Sequence, residues 1–579
     1  MSDTIQVHWD DKKSCFEIYT PFHLNGMAKA LPDHRWAKGK RCWEAPLLKK
    51  NALFMRQHYT AAEFSPEARK ALDSYQLPSS NKSSKFPPWY QFKTEPMDHQ
   101  HEFLNNAWGN SEHAALLSMG GGKTKCVIDW FTALRMDNQA DAVLIICDSS
   151  IKFVWEDELA IHCPIPYQTF VMEAGKNKKA LNWMEDDHDF PWFIVGVEAL
   201  SQGKAIEIAQ HFAKIRRVAM AIDEATSIKN SSSIRTERCV DLGIESKFRC
   251  PMTGTPVTNG YEDLYSVFNY MNPEIIGISS YYSFRNQYCV MGGFEDRQIV
   301  AYNNIDELIE TIDPYCTRKT KEQMMDLPPK VFEPRLVNLT KQQQTMYDSM
   351  KDDMMIAIGD DDELTADMVL EQMLRLQQIV GGFYATETEE GSYEVHPIEG
   401  KNPKVDELKR VISEIKGEKM IVWCRYKPEL RLVVEELKKA RVRTVEFHGD
   451  MSTDEKRASV RAIQEGEGQV IVATMAMAKG QTLTKATYSC IFSNSFSLEM
   501  RQQLEDRNHR KGTEQQFEKD EDGNWTGKIT YIDILAKETL DTKQILPALI
   551  KKKTRADYFD EKIDPSTVSI RGASFKDMI

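Results

Sequence analysis

What this 579-residue chain lacks narrows its class first. Its eleven cysteines are scattered singly, with no Cys-x-x-Cys pair and no Cys/His cluster at zinc-ligand spacing. Neither a disulfide framework nor a zinc module is therefore expected. Several of them, such as Cys126 and Cys147, fall in apolar segments, where a free buried thiol in a reducing cytoplasm is the expected state. No apolar stretch approaches the roughly 20 residues that a membrane-spanning helix needs; Val470 to Ala478 is among the longest. Met1-Ser2-Asp3-Thr4 offers neither a basic n-region nor an apolar h-region, so no secretory signal is expected. An excess of positive charge is missing too. The net charge of −13 argues against nonspecific coating of nucleic acid, while leaving open a grip through local Lys and Arg clusters. Lys176 to Lys179 and Lys551 to Arg555 are such clusters, and solvated surface charge is the expected role of each. No repeat of the 20–50 residue kind is present.

What is there is an ordinary globular composition, 41% apolar and 28% charged, long enough for several cores. Residues 1–75 read as a small α+β unit. Ile5, Val7 and Trp9 alternate, Asp10-Asp11-Lys12 turns, and Phe16 and Ile18 alternate again, which predicts a hairpin. Residues 76–90 form a polar linker around Pro78 to Ser84. From 91 to 273, short apolar strands (Val143 to Cys147, Phe193 to Val197, Val218 to Ile222) alternate with helical patterns, the signature of a parallel sheet covered by helices. Residues 274–400 break that rhythm and read as mostly helical, polar insertions; the acidic run Asp360 to Glu363 is expected to be a solvated loop. Alternation resumes over 401–550, with strands at Met420 to Cys424, Thr444 to Phe447, Val470 to Ala473, Ser489 to Phe492 and Ile529 to Ile534, then a long helix from about Asp541. Residues 551–579 are a tail. The fold class expected is α/β, with two parallel-sheet lobes.

Ser118-Met119-Gly120-Gly121-Gly122-Lys123-Thr124 lies between the apolar strand Ala114 to Leu117 and a helical stripe from Cys126 to Leu134. That is the context of a phosphate-binding loop, although the strict pattern places a glycine where Leu117 stands. Glycines let backbone N–H groups close around phosphate oxygens, Lys123 adds a full charge, and the Thr124 hydroxyl suits Mg²⁺. A second strand, Val218 to Ile222, ends in Asp223-Glu224. Asp223 suits Mg²⁺, and Glu224 suits the orientation and deprotonation of an attacking water. Thr253-Gly254-Thr255 reads as a hinge after the next strand. In the second lobe, a helical reading of Gln503 to Arg510 puts Gln503, Arg507 and Arg510 on one face, a match for arginine fingers.

Taken together over residues 90 to 550, these segments resemble the motifs of helicase superfamily two, and within it the Swi/Snf family. The resemblance also rests on Ile146 to Ser150 with Trp155, on Asp223 to Asn230, on Met252 to Asn259, on Thr317 to Lys321 with Asp326 to Lys330, on His448 to Ser452 and on Arg507 to Gly512. It implies two RecA-like lobes, ATP and Mg²⁺ as cofactors, and a DNA-stimulated ATPase that tracks along double-stranded or branched DNA as a monomeric motor. It implies that Gln100 reads adenine, that Met119 to Thr124 and Gly480 contact nucleotide, that Thr124 and Asp223 hold the metal, and that Lys123, Glu224, Gln503, Arg507 and Arg510 serve catalysis. Ser149, Thr253, Gly254, Thr255 and Thr482 would couple nucleotide to DNA. For Phe86, Trp89, Tyr90 and Phe92, near Gln100, core packing is the expected role.

Three positions depart from the family's pattern: Thr226 replaces a usual His, Gly121 a usual Leu, and Thr482 a usual Asn. The region of residues 1–75 faintly resembles the HARP module of annealing helicases, which points to fork remodelling, repair or recombination. The competing readings are a protein-displacing or transcription-associated factor, which the changes at Thr226 and Thr482 motivate, and an RNA helicase. The compact size suits a cytoplasmic bacterial or virus-encoded accessory with replication, repair or transcription partners and no membrane association.

Overall fold

A computed structural model describes residues 4–75, 84–293, 298–360, 366–388, 393–477 and 482–561. Most of the expected linker around Pro78, the acidic residues 361–363, Gly480 and the end of the tail lie outside these residues. The chain forms two compact units, Met1–Met324 and Met325–Ile579.

The first unit begins with a five-stranded sheet. β1 (Gln6–Asp10) and β2 (Cys15–Tyr19) form the expected antiparallel hairpin, with Val7 opposite Ile18 and Trp9 opposite Phe16. β3 (Arg35–Ala37), β4 (Cys42–Pro46) and β5 (Glu63–Phe64) complete the order β3-β4-β2-β1-β5. Alternation along the hairpin sends Val7, Phe16 and Ile18 inward, where they meet Ala52, Met55 and Tyr59 around the helix Lys49–His58. This module is fastened to the rest of its unit by reciprocal carboxylate–amide bonds. The Asp33 carboxylate accepts from the backbone N–H groups of Ser279 and Ser280, at 2.6 and 3.1 Å, ahead of the helix Tyr281–Tyr288. In return, the Glu274 carboxylate accepts from the N–H of Lys49 at 2.9 Å, at the start of the helix Lys49–His58, and from the Tyr75 hydroxyl. Lys50 adds bonds to Tyr288 Oη at 2.8 Å and Glu307 at 3.0 Å.

The large sheet follows: β6 (Ala114–Leu117), β7 (Ala142–Cys147), β8 (Gln168–Val171), β9 (Pro191–Gly196), β10 (Val218–Asp223) and β11 (Phe248–Met252). A small antiparallel pair, β12 (Cys289–Gly292) and β13 (Gln298–Tyr302), comes next, and then β14 (Cys316–Lys319) returns to the large sheet. Its order is β14-β6-β11-β10-β7-β9-β8. Every pairing is parallel. Strands β6, β7 and β9 are buried along their whole lengths, as a sheet covered on both faces demands.

The second unit holds another all-parallel sheet. Its strands are β15 (Lys330–Val337), β18 (Met420–Cys424), β19 (Thr444–Phe447), β20 (Val470–Thr474), β21 (Tyr488–Ile491) and β22 (Ile529–Ala536), in the order β15-β22-β21-β18-β20-β19. β16 (Phe383–Glu387) and β17 (Tyr393–Pro397) pair separately as a hairpin. The two lobes thus have the expected α/β architecture. Two core strands, β14 and β15, lie inside the stretch that reads as insertions, and both are sheet edges. β14 is short and half charged, and β15 mixes Lys330, Glu333, Pro334 and Arg335 among its apolar residues. Among the described residues, no helix is long and apolar enough to cross a membrane. All eleven cysteines are free and buried.

Candidate functional site

In a parallel sheet every strand ends on the same edge, and that edge is where ligands bind. β6, β11 and β10 are consecutive neighbours, so the three segments that follow them are brought side by side. These are the phosphate-loop sequence, Thr253–Pro256 and Asp223-Glu224. Residues 252–254, far from the loop in sequence, become its walls.

Leu117 is the last residue of β6 and fully buried, which explains why this loop needs no glycine there. The turn itself is made by Gly120 (φ +86°) and Gly122 (φ +68°), both in the left-handed region, and by a bond from Gly121 N–H to Ser118 O at 3.1 Å. The helix Lys123–Met136 starts directly after it. Its first-turn N–H groups lie outside the helical ladder and face the loop with the positive end of the helix dipole. Lys123 is buried, and its Nζ donates to Leu117 O at 3.1 Å, which keeps the ammonium inside the bend. Oriented amides, one enclosed ammonium and the neighbouring Thr124 hydroxyl make a donor set that fits a polyphosphate.

The Gly121 carbonyl is the acceptor for two side chains from the preceding helix Asp98–Ala107: His99 Nε2 at 2.8 Å and Gln100 Nε2 at 3.2 Å. Gln100 also accepts from Met97 N–H at 2.9 Å through Oε1. The residue expected to read adenine is therefore tied to the phosphate loop as well. A Cβ at Gly122 would lie 2.2 Å from Gln100 Nε2. Gly122→Ala combines this clash with a left-handed backbone, a strain of about 1–3 kcal/mol. Roughly ten- to hundredfold weaker ADP binding is the expected outcome, measured by calorimetry.

Asp223 closes β10, and Glu224 follows at φ +53°, a left-handed conformation that is costly for a glutamate and turns the chain sharply out of the sheet. The Trp155 indole N–H donates to Asp223 Oδ2 at 3.1 Å. Burial pushes the Asp223 carboxyl above the usual range, while the Lys123 charge and the Trp155 bond act in the opposite sense. One carboxylate with a neighbouring hydroxyl suits Mg²⁺, which takes few protein ligands and completes its shell with substrate phosphate and water. Among the described residues no larger cluster of metal-ligating side chains occurs.

Between these two segments, Thr253 N–H donates to Ala115 O at 3.1 Å, and Thr253 Oγ1 accepts from Thr255 N–H at 3.1 Å. A Cβ on Gly254 would meet Met119 N at 3.0 Å and Leu117 O at 3.3 Å, so this glycine lies directly on the loop backbone. Ser149, at the end of β7, is bound instead to Glu198 Oε2 at 2.7 Å. Phe86, Tyr90 and Phe92 pack on one another, with Tyr90 Oη donating to Asp129 at 2.8 Å. Trp89 remains 45% exposed.

In the second unit the helical reading of Gln503 to Arg510 needs correction. The helix Leu498–Glu505 stops before Arg507, so spacing by helical turns does not govern Arg507 and Arg510. Tertiary bonds take the chain off the helical path: His509 Nε2 to Pro328 O at 2.8 Å, Asn508 Nδ2 to Ala486 O at 2.9 Å, and Thr513 Oγ1 to Asn508 O at 2.7 Å. Gln503 and Arg507 are both buried and stay linked, Arg507 Nε donating to Gln503 O at 2.9 Å. Arg510 is half-buried, with no carboxylate paired to it among the described residues. Thr482 is exposed, and Gly480 lies outside the described residues. Sequence reasoning missed the contacts of His99 and Trp155 with the loop and the acid, because neither shows in spacing.

Two family descriptions match the chain: the SNF2-related domain over residues 98–382 and the helicase conserved C-terminal domain over residues 403–512. Together they account for well over half of it, and they leave the first 97 residues outside. YwqA of Bacillus subtilis, named for ATP-dependent helicase or translocase activity, is 24% identical over 413 residues, covering 68% of this chain and 42% of that protein. The transcription regulatory protein SNF2 of Saccharomyces cerevisiae is 22% identical over 416 residues, covering 68% and 24%. The solved SWI2/SNF2 ATPase core of Sulfolobus solfataricus in complex with dsDNA is 22% identical, with a TM-score of 0.36, covering 84% of this chain and 97% of that one. The chain spans less than half the length of each of these two curated relatives. The chain belongs to the SNF2-related family of helicase-like ATPases.

Proposed function

We propose that this protein is a DNA-stimulated ATP hydrolase that tracks along duplex or branched DNA, in replication-fork remodelling, repair or recombination. The observation that carries the reading is the convergence of Gly120–Thr124, Thr253–Thr255 and Asp223-Glu224 on three adjacent strand ends. ATP is the substrate. The loop amides and Lys123 bind its phosphates, and Thr124 and Asp223 hold Mg²⁺, which when bound supplies charge neutralisation at the phosphates. Glu224 orients a water and takes its proton as the water oxygen bonds to the γ-phosphorus. The bond from that phosphorus to the β–γ bridging oxygen breaks, and its electron pair stays on ADP. Arg507 and Arg510 supply permanent positive charge to the transferring group, with Gln503 holding Arg507. Thr253, Gly254 and Thr255, resting on the loop, register its state; Ser149 and Thr482 serve the DNA side.

The motor works as a monomer on the phosphate backbone, which carries no sequence information directly. The module of residues 1–75 selects the DNA structure, in keeping with its resemblance to HARP. Eleven free buried thiols suit a reducing cytoplasm.

Phosphate release with and without duplex DNA tests this. DNA is expected to stimulate turnover, with the apparent DNA affinity falling with salt at a slope of about −0.9 per phosphate neutralised. Absence of stimulation sinks the reading. Likeness to a transcription regulatory protein favours protein displacement as the second reading. ATP-dependent stripping of a triplex third strand is expected of a translocase and not of a factor that displaces proteins without tracking.

A further inference from the structure

We propose that His99 and Met324 are positioning residues of the phosphate loop, which hold Gly121 from two sides so that the next amide is aimed at bound phosphate. The inference rests on the reading that this loop binds nucleotide.

The first side is polar. A trans peptide unit is planar, so a carbonyl and the N–H that follows it point in opposite directions. The Gly121 carbonyl oxygen points at His99 Nε2, 2.8 Å away, and the Gly122 N–H must therefore point the other way. An acceptor-only carbonyl fixes the imidazole with its proton on Nε2. His99 is only 6% exposed, so water does not compete for that proton. Gln100 reaches the same oxygen at a longer 3.2 Å and divides its amide with Met97 N–H, which leaves His99 the shorter bond.

The second side is apolar. Gly121 stands where a leucine is usual in the family, and the missing side chain leaves a hole beside the loop. Met324 fills it. A Cβ at Gly121 would fall 2.8 Å from Met324 Sδ and 3.0 Å from its Cε, both closer than van der Waals contact permits. Met324 also packs against the core beneath β6, so its thioether spans from that core to the loop. An unbranched thioether is well suited to an irregular gap of this kind. Glycine at 121 would otherwise free the loop to sample conformations in which its amides diverge. The two contacts remove that freedom before nucleotide arrives, so they should act on binding more than on chemistry.

The experiment is calorimetric titration of ADP with Mg²⁺ into the full-length protein, alongside steady-state ATP kinetics and thermal unfolding to confirm that each variant is folded. His99→Phe is expected to weaken ADP binding and raise KM by about three- to tenfold, with kcat nearly unchanged. His99→Gln, which retains an N–H donor, recovers most of the affinity. Gly121→Leu weakens ADP binding, and adding Met324→Ala to it restores binding, although Met324→Ala alone weakens it. Unchanged ADP affinity in His99→Phe, or no rescue of Gly121→Leu by Met324→Ala, overturns the proposal while leaving the ATPase reading intact. A wild-type protein that binds no ADP overturns both.

Discussion

Glu224→Gln is expected to lower ATP turnover by about 10²- to 10⁴-fold and to leave ADP affinity close to that of the parent. The substitution keeps the size and polar shape of the side chain but removes its basicity, so an attacking water keeps its proton. The left-handed backbone at residue 224 gives this test its precision. A strained conformation directly after a buried strand persists only where surrounding structure holds it, and it swings Glu224 clear of Asp223, which continues the line of β10. Two adjacent carboxylates thereby receive different environments: Asp223 is held by Trp155 and faces the charge of Lys123, whereas Glu224 leaves the sheet. Single-turnover phosphate release separates the two roles. If Glu224→Gln hydrolyses ATP at the parent rate, Glu224 is not the base.

The largest expected change in stability lies in the second unit. Lys404 and Asp541 are each 1% exposed, and Lys404 Nζ donates to Asp541 Oδ2 at 2.6 Å and to Phe492 O at 3.0 Å. Asp541 Oδ2 accepts also from Ala536 N–H at 3.1 Å, while its Oδ1 has no hydrogen-bond partner among the described residues. Lys404→Met leaves the carboxylate buried without its cation and is expected to destabilise this unit by about 3–5 kcal/mol. Urea unfolding followed by circular dichroism, with the parent alongside, reads the loss. Adding Asp541→Asn removes the stranded charge and should recover a large part of it. A single variant as stable as the parent would show that the pair is dispensable.

The success and failure of sequence reading here follow from what each feature depends on. The phosphate loop and the Asp223-Glu224 strand end are local: glycines, a buried apolar run and a helical stripe stand within a few residues of one another. β14 and β15 escaped because edge strands have one unpaired side, so neither needs the continuous apolar run by which interior strands are recognised; Cys316–Lys319 is half charged. The path of Arg507 to Arg510 escaped for a different reason. A helix there is broken by bonds to Ala486 and Pro328, and the latter lies 181 positions away in sequence. The packing of Met324 on Gly121 is equally non-local. Helical periodicity cannot report partners that only tertiary structure supplies.

The exchange of carboxylate–amide bonds through Asp33 and Glu274 has a mechanical consequence. Each side of the joint supplies a carboxylate to backbone amides of the other, so the joint cannot loosen without exposing amides and a carboxylate together. A segment tied in this way is cargo bolted to its carrier, not a tethered passenger. Phe22 and Trp36 of the module are exposed, so the joint holds their apolar surface in a fixed place on the first unit. The same joint makes deletion of residues 1–75 a blunt instrument, since it removes the acceptor of the Ser279 and Ser280 amides, just ahead of the helix Tyr281–Tyr288, along with the module. Asp33→Asn, which weakens the joint and leaves the module present, separates the effect of loosening the module from the loss of the module itself.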